Sequence, residues 1–174
     1  MPRTLPMIDR TENLTNSTII QEKEAVKKAK GTVFQLLKIR QRSEKEIREK
    51  LKTKKFAKSV IEEVIAYLKR LELVDDRQFA NKWISYRLRK PYGKHRIKFE
   101  LKEKGIAETI IEDEYTNVLN QNNYSELETI LSLTEKQRLR YKNIEPNKMK
   151  QRIYGYLCRR GFSQEKILQA LKKL

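Results

Sequence analysis

One pattern occurs three times along this chain and limits what it can fold into: an isoleucine, a leucine four residues on, and an apolar residue five beyond that. It reads Ile47/Leu51/Phe56, Ile97/Leu101/Ile106 and Ile153/Leu157/Phe162. The register continues through Ile61, Ile111 and Ile167, then Ile65, Tyr115 and Leu171, then Leu68, Val118 and Leu174. One constant offset separates the first copy from the second, and a slightly longer one the second from the third. Six equivalent positions are thus apolar in every copy, in a chain that is only 38% hydrophobic. Chance does not produce that agreement, and the sequence is an internal repeat.

Each copy reads as helices. The step from Ile47 to Leu51 keeps both on one helical face, and Ile61, Ile65 and Leu68 do the same on a following helix. Gly105 and Gly161 stand where the first of these helices would end in a left-handed residue, with Lys55 at that place in the first copy, a weaker or differently built cap. Ser43 with Glu46, and Asp75 with Gln78, form capping-box patterns that predict helix starts near 43 and 75. A further helix precedes each pair, over 22–40, 76–90 and 125–142. The extra length of the longer spacing fits a connection near Asn143 to Asn147, with Pro146 suited to a turn or a first helical position.

The expected fold is therefore all-α, three tandem three-helix repeats over 22–74, 75–121 and 122–174, in an elongated array open to curvature. With 36% charged and 8% aromatic residues, a high-surface shape suits the composition better than one large core. Residues 1–21, with Pro2, Pro6 and a polar run from Asn13 to Thr18, read as a flexible tail. No apolar stretch has the length of a signal peptide core or a membrane span, and Cys158, the single cysteine, allows no internal disulfide. Both fit a cytoplasmic protein.

Charge gives the second signal. Forty Lys and Arg against 23 Asp and Glu leave a net +17, which points to a polyanionic partner. From Arg77 to Phe99 no acidic residue occurs, while Arg77, Lys82, Arg87, Arg89, Lys90, Lys94, Arg96 and Lys98 are basic. Tyr86 and Tyr92 lie within this run as candidates for stacking on bases, whereas Phe79 and Trp83 fall at core spacing. A second basic stretch holds Lys136, Arg138, Arg140, Lys142, Lys148, Lys150, Arg152, Arg159 and Arg160 against Glu145 alone. Two such patches would line one groove for a phosphate backbone.

At this point the residues resemble a family. The run from Ser85 through Pro91-Tyr92-Gly93-Lys94 to Ile106, the segment Leu73-Val-Asp-Asp-Arg-Gln-Phe79 and the opening Leu36 to Leu51 are together similar to the RecX family of bacterial regulatory proteins, over roughly residues 25–174. The resemblance implies a helical-repeat protein that binds filaments of the RecA recombinase on single-stranded DNA and restrains their extension, ATP hydrolysis and strand exchange. It implies Ser85, Arg87, Arg89, Lys90, Tyr92, Gly93 and Arg96 as leading contacts, which the basic residues Lys94, Lys98, Arg138, Arg140, Lys148, Lys150 and Arg152 would extend. Replacing Arg87, Arg89 and Arg96 is expected to weaken that function while leaving stability nearly unchanged.

An enzyme is not expected. The sequence has no G-x-x-x-x-G-K loop and no G-x-G, and His95 and Cys158 form no recognised metal spacing. Asp75, Asp76, Glu100 and Lys102 are the nearest thing to a metal-nuclease set, but residues two apart on a helix diverge, and Glu100 more naturally pairs with a nearby cation. No cofactor is expected, and the chain is taken as a monomer with a recombinase filament, single-stranded DNA and in addition double-stranded DNA as partners. The alternative is a general DNA-binding helical repeat without recombinase specificity.

Overall fold

A computed structural model describes residues 10–174, with side chains from Ile19 onward. Its described residues form nine helices and no strand: α1 Arg10–Ile39, α2 Glu44–Thr53, α3 Lys58–Arg70, α4 Asp76–Arg89, α5 Lys94–Glu103, α6 Glu108–Gln121, α7 Glu126–Arg140, α8 Pro146–Arg159 and α9 Gln164–Leu171. The repeating apolar positions build three separate cores, except that Leu174 is exposed and Phe56 only half-buried. Val33, Ile47, Leu51, Val64 and Leu68 close the first, Ile84, Ile97, Leu101, Ile111 and Val118 the middle one, and Ile130, Ile153, Leu157 and Ile167 the third. Fully burying each such side chain contributes about 1.5–3 kcal/mol, which is why the periodicity is respected in all three copies.

The chain divides into two compact units between Asp75 and Asp76. One holds the first repeat; the other holds the middle and third repeats together. Within the second unit, α4 lies against α6, and the buried carboxylate of Glu114 on α6 joins them by accepting from Arg77 Nη1 at 3.0 Å and Asn81 Nδ2 at 2.9 Å.

The stops and starts follow from local chemistry. Ser43 caps α2 in a full capping box with Glu46. Pro146 sits in the first turn of α8, where its missing N–H costs no hydrogen bond, and the Glu145 carboxylate accepts from the amides of Asn147 and Lys148. All three middle helices of the repeats end in the same Schellman stop. The N–H of Phe56 donates to Leu51 O, that of Ile106 to Leu101 O and that of Phe162 to Leu157 O. The residue before each is left-handed: Gly105 at φ 80° and Gly161 at φ 83°, but Lys55 at φ 61°. The first repeat thus makes the same turn with a side chain in a region that costs an L-residue about 1–2 kcal/mol.

Within the stretch expected as a tail, residues 10–21 continue α1, where each added residue gains a hydrogen bond once the helix is nucleated. Residues 1–9, the remainder of that tail, lie outside the described residues.

Candidate nucleic-acid interface

The acid-free run of the middle repeat does not remain acid-free in space. Arg87 on α4 brings its Nε to 2.6 Å from Glu100 on α5, an ion contact without the alignment of a hydrogen bond. Arg96 reaches the other oxygen of the same carboxylate at 3.1 Å, and the Trp83 indole N–H donates at 3.1 Å to the oxygen that Arg87 approaches. Lys94 pairs with Glu112 on α6 at 2.7 Å, and Lys98 with Glu112 at 3.0 Å and with Glu108, which also takes Lys102. These bonds hold the carboxyls of Glu108 and Glu112 below the usual carboxylate range, through Lys102 and Lys98 at the first and through Lys94 and Lys98 at the second. All of these partners lie further down the chain, beyond the end of the run itself.

Tyr92 and its arginines form the centre of this region. The guanidinium of Arg96 lies 4.1 Å from the Tyr92 ring centroid, and those of Arg87 and Arg160 each lie 5.4 Å away. Arg160, from the end of α8, also donates through Nη1 to the carbonyls of Lys90 at 2.9 Å and Pro91 at 3.0 Å. The backbones meet beside it. Gly93 N–H donates to Arg160 O at 2.9 Å, and His95 N–H to Gly161 O at 3.0 Å, so the end of α8 supplies acceptors for amides at the start of α5.

Gly93 therefore has a role that its turn position did not reveal. Its backbone is extended, with φ −80° and ψ 166°, so no left-handed geometry calls for glycine there. A Cβ at Gly93 would collide with the Gly161 carbonyl, and one at Gly161 with the Cβ and backbone nitrogen of Arg96. The two glycines let the middle and third repeats touch backbone to backbone. The left-handed Gly161 had a sequence signal, but its closeness to Gly93 had none, because the two stand in different repeats, far apart along the chain.

In the middle repeat Tyr92, Gly93 and Arg96 sit at the contact with the third repeat, Arg87 ties α4 to α5 through Glu100, and Lys94 and Lys98 tie α5 to α6. Of the Arg87/Arg89/Arg96 trio, the Arg87 side chain is only 21% exposed, and both Arg87 and Arg96 hold Glu100. Arg89 and Lys90 are exposed at the end of α4 and have no ion pair among the described residues, while Ser85 is half-buried. Tyr86, at 46% exposure, faces solvent, whereas Tyr92 is half-buried beneath arginines.

The third repeat differs. Arg138 pairs with Glu135 at 2.8 Å, but Arg140, Lys148, Lys150, Arg152 and Arg159 make no ion pair among the described residues. Lys148, Arg152 and Arg159 are spaced along one face of α8, with Gly155 between them, and Arg152 stacks 5.7 Å from the Tyr141 ring. The composition of the repeats agrees. Residues 22–74 carry sixteen basic against eight acidic residues, 75–121 ten against eight, and 122–174 twelve against five. The middle repeat, which owns the longest acid-free run, is the least basic.

Among the described residues no helix is long and apolar enough to cross a membrane, and no group of three His, Cys, Asp or Glu could hold a metal ion.

Known proteins of the same architecture carry the three repeats in the same order. Residues 29–68 match the first RecX three-helix domain, 75–113 the second and 124–171 the third. The chain belongs to the RecX family. It is 35% identical to the regulatory protein RecX of Chlorobium phaeobacteroides, over 85% of this chain and 94% of that one. To the regulatory protein RecX of Clostridium acetobutylicum it is 34% identical, over 76% of this chain but 62% of the longer relative. The crystal structure of RecX from Lactobacillus salivarius superposes with a TM-score of 0.76 at 26% identity, covering 87% of this chain and 97% of that one. RecX membership accounts for the triple pattern and the all-helical fold.

Proposed function

We propose that this protein binds RecA recombinase filaments on DNA and restrains their extension, ATP hydrolysis and strand exchange. The observation that carries the reading is the ordered match of all three repeats to RecX domains. The unpaired cations of α7 and α8 support contact with phosphates. Several repeats joined in one chain gain avidity from separately weak contacts on a repeating filament. Inhibition then acts as a population shift, favouring a filament state that neither grows nor cycles.

The test is DNA-dependent ATP hydrolysis by RecA, with the protein titrated from far below to equal stoichiometry. Inhibition at substoichiometric ratios supports the reading. A Lys148→Ala, Arg152→Ala, Arg159→Ala variant should need much more protein for the same inhibition, and its DNA affinity should fall about 100-fold near 0.1 M salt as three phosphate contacts are lost.

A second reading, general DNA binding without recombinase specificity, is favoured by the same α8 face, which requires nothing of its partner except phosphate. It predicts inhibition only at DNA-coating ratios and relief by excess DNA. It also predicts equal salt slopes for bare DNA and filament, whereas joint recognition gives the filament the shallower slope.

A further inference from the structure

The repeat register puts the same pair of positions between the second and third helices of every repeat, and two repeats fill them alike. In the first, Arg48 on α2 reaches Glu62 on α3 at 2.6 Å, reinforced by Glu44, which also takes Lys69. At the matching positions of the middle repeat, Lys98 reaches Glu112 at 3.0 Å, with Lys94 on the same carboxylate. In the third repeat the equivalent positions are Tyr154 on α8 and Leu168 on α9. The ionic lock is gone.

In its place is a groove of about 510 Å³ lined by Lys150, Gln151, Tyr154, Leu168, Leu171 and Lys172. That volume falls within the range of pockets that take ligand side chains. Leu168 is 52% exposed, although the scaffold beside it is as closed as in the other repeats, with Ile153, Leu157 and Ile167 all at 0%. The difference is therefore confined to the cleft. An exposed leucine and a half-exposed tyrosine add nothing to the fold that the ion pair did not supply, and their apolar surface is the kind that marks binding.

The charge around the groove selects the occupant. Lys150 and Lys172 line it, neither makes an ion pair among the described residues, and no carboxylate contributes to the lining. A basic or neutral apolar segment would leave those ammonium groups uncompensated, whereas an acidic one gains them. Nucleic acid meets the charge but has no aliphatic side chain for the apolar floor. We propose that the α8–α9 groove of the third repeat docks an acidic segment of a partner protein, with leucine, phenylalanine or methionine side chains seated between Tyr154 and Leu168. The mode is that of an amphipathic segment in an apolar groove, with anchors every three or four residues if the segment is helical. It stands independently of the DNA-binding reading.

Two short fluorescein-labelled peptides of equal negative charge test it by anisotropy, one built of Glu and Leu in amphipathic order, the other with each Leu replaced by Ser. The expected result is saturable binding of the Glu/Leu peptide at least about tenfold tighter than the Glu/Ser peptide, a difference that corresponds to about 1.4 kcal/mol. Tyr154→Arg with Leu168→Glu installs the ion pair of the first repeat and should abolish the preference while helical content is kept. Leu168→Glu alone, at an exposed helical position, should do the same should the double variant fold poorly. Equal binding of the two peptides, no saturable binding of either, or an undiminished preference in the variants would overturn the proposal.

Discussion

In the middle repeat Arg87, Lys94, Arg96 and Lys98 each end on a carboxylate of α5 or α6; in the third, Arg140, Lys148, Arg152 and Arg159 lie exposed without an ion pair among the described residues. The scaffolds are otherwise equivalent, since Ile97 and Leu101 are as fully buried as Ile153 and Leu157. A stretch without acids in the sequence is therefore different from a surface without acids. In the middle repeat the compensating charge comes from Glu100 on α5, for Arg87 and Arg96, and from Glu112 on α6, for Lys94 and Lys98, so only cations that no carboxylate reaches remain available to phosphate.

The largest test concerns the shared scaffold. Leu101→Ala and Leu157→Ala should each destabilise the second compact unit by about 2–5 kcal/mol in denaturant unfolding, and by similar amounts, as large-to-small changes at fully buried sites. Markedly unequal costs would break the equivalence of the two repeats. Next comes the internal use of the middle cations. Arg87→Ala combined with Arg96→Ala should cost about 1–2 kcal/mol of stability, because Glu100 loses both cationic partners in a half-buried site, yet change DNA affinity little. Stability near wild type with a large loss of DNA binding would reverse the assignment.

Glu100→Gln probes the same pairing from the acidic side. Releasing two arginines should tighten single-stranded DNA binding roughly 25-fold near 0.1 M salt and steepen the log–log salt slope by about 1.4. An unchanged slope would mean that the arginines remain unavailable for another reason. The smallest effect extends the comparison to the first repeat, which lacks a glycine at its Schellman stop. Lys55→Gly should stabilise the first compact unit by about 0.5–1 kcal/mol, measured by thermal melting, since relief of left-handed strain exceeds the added entropy of the unfolded chain.

Much of this architecture was legible because burial imposes a period. Ile47, Leu51 and their counterparts gave the helices, and Gly105 and Gly161 gave the stops, since apolar faces and left-handed residues leave local signatures. The site was less legible because its bonds join distant positions. Glu100, which pairs with Arg87 and accepts from Arg96 and Trp83, stands out in the sequence mainly as a metal-ligand candidate, although pairing with a nearby cation is its more natural use. A usable signal did exist: Arg48/Glu62 and Lys98/Glu112 are the same pair of repeat positions, equally spaced in both copies, so comparing charge as well as hydrophobicity across the copies would have predicted the neutralisation. The approach of Gly93 to Gly161 left no such trace, because it depends on how two repeats dock.

That docking leaves a mark on a single backbone amide. A second-position N–H in a helix has no partner within its own helix and ordinarily exchanges with solvent deuterium almost as fast as in an unfolded peptide. At the start of α5 the His95 amide instead donates to Gly161 O. Its protection therefore reports on the contact between the two repeats rather than on α5 itself. If the third repeat swings away while every helix stays intact, His95 loses its protection ahead of the core amides, giving a built-in clock for that opening which needs neither DNA nor a partner to read.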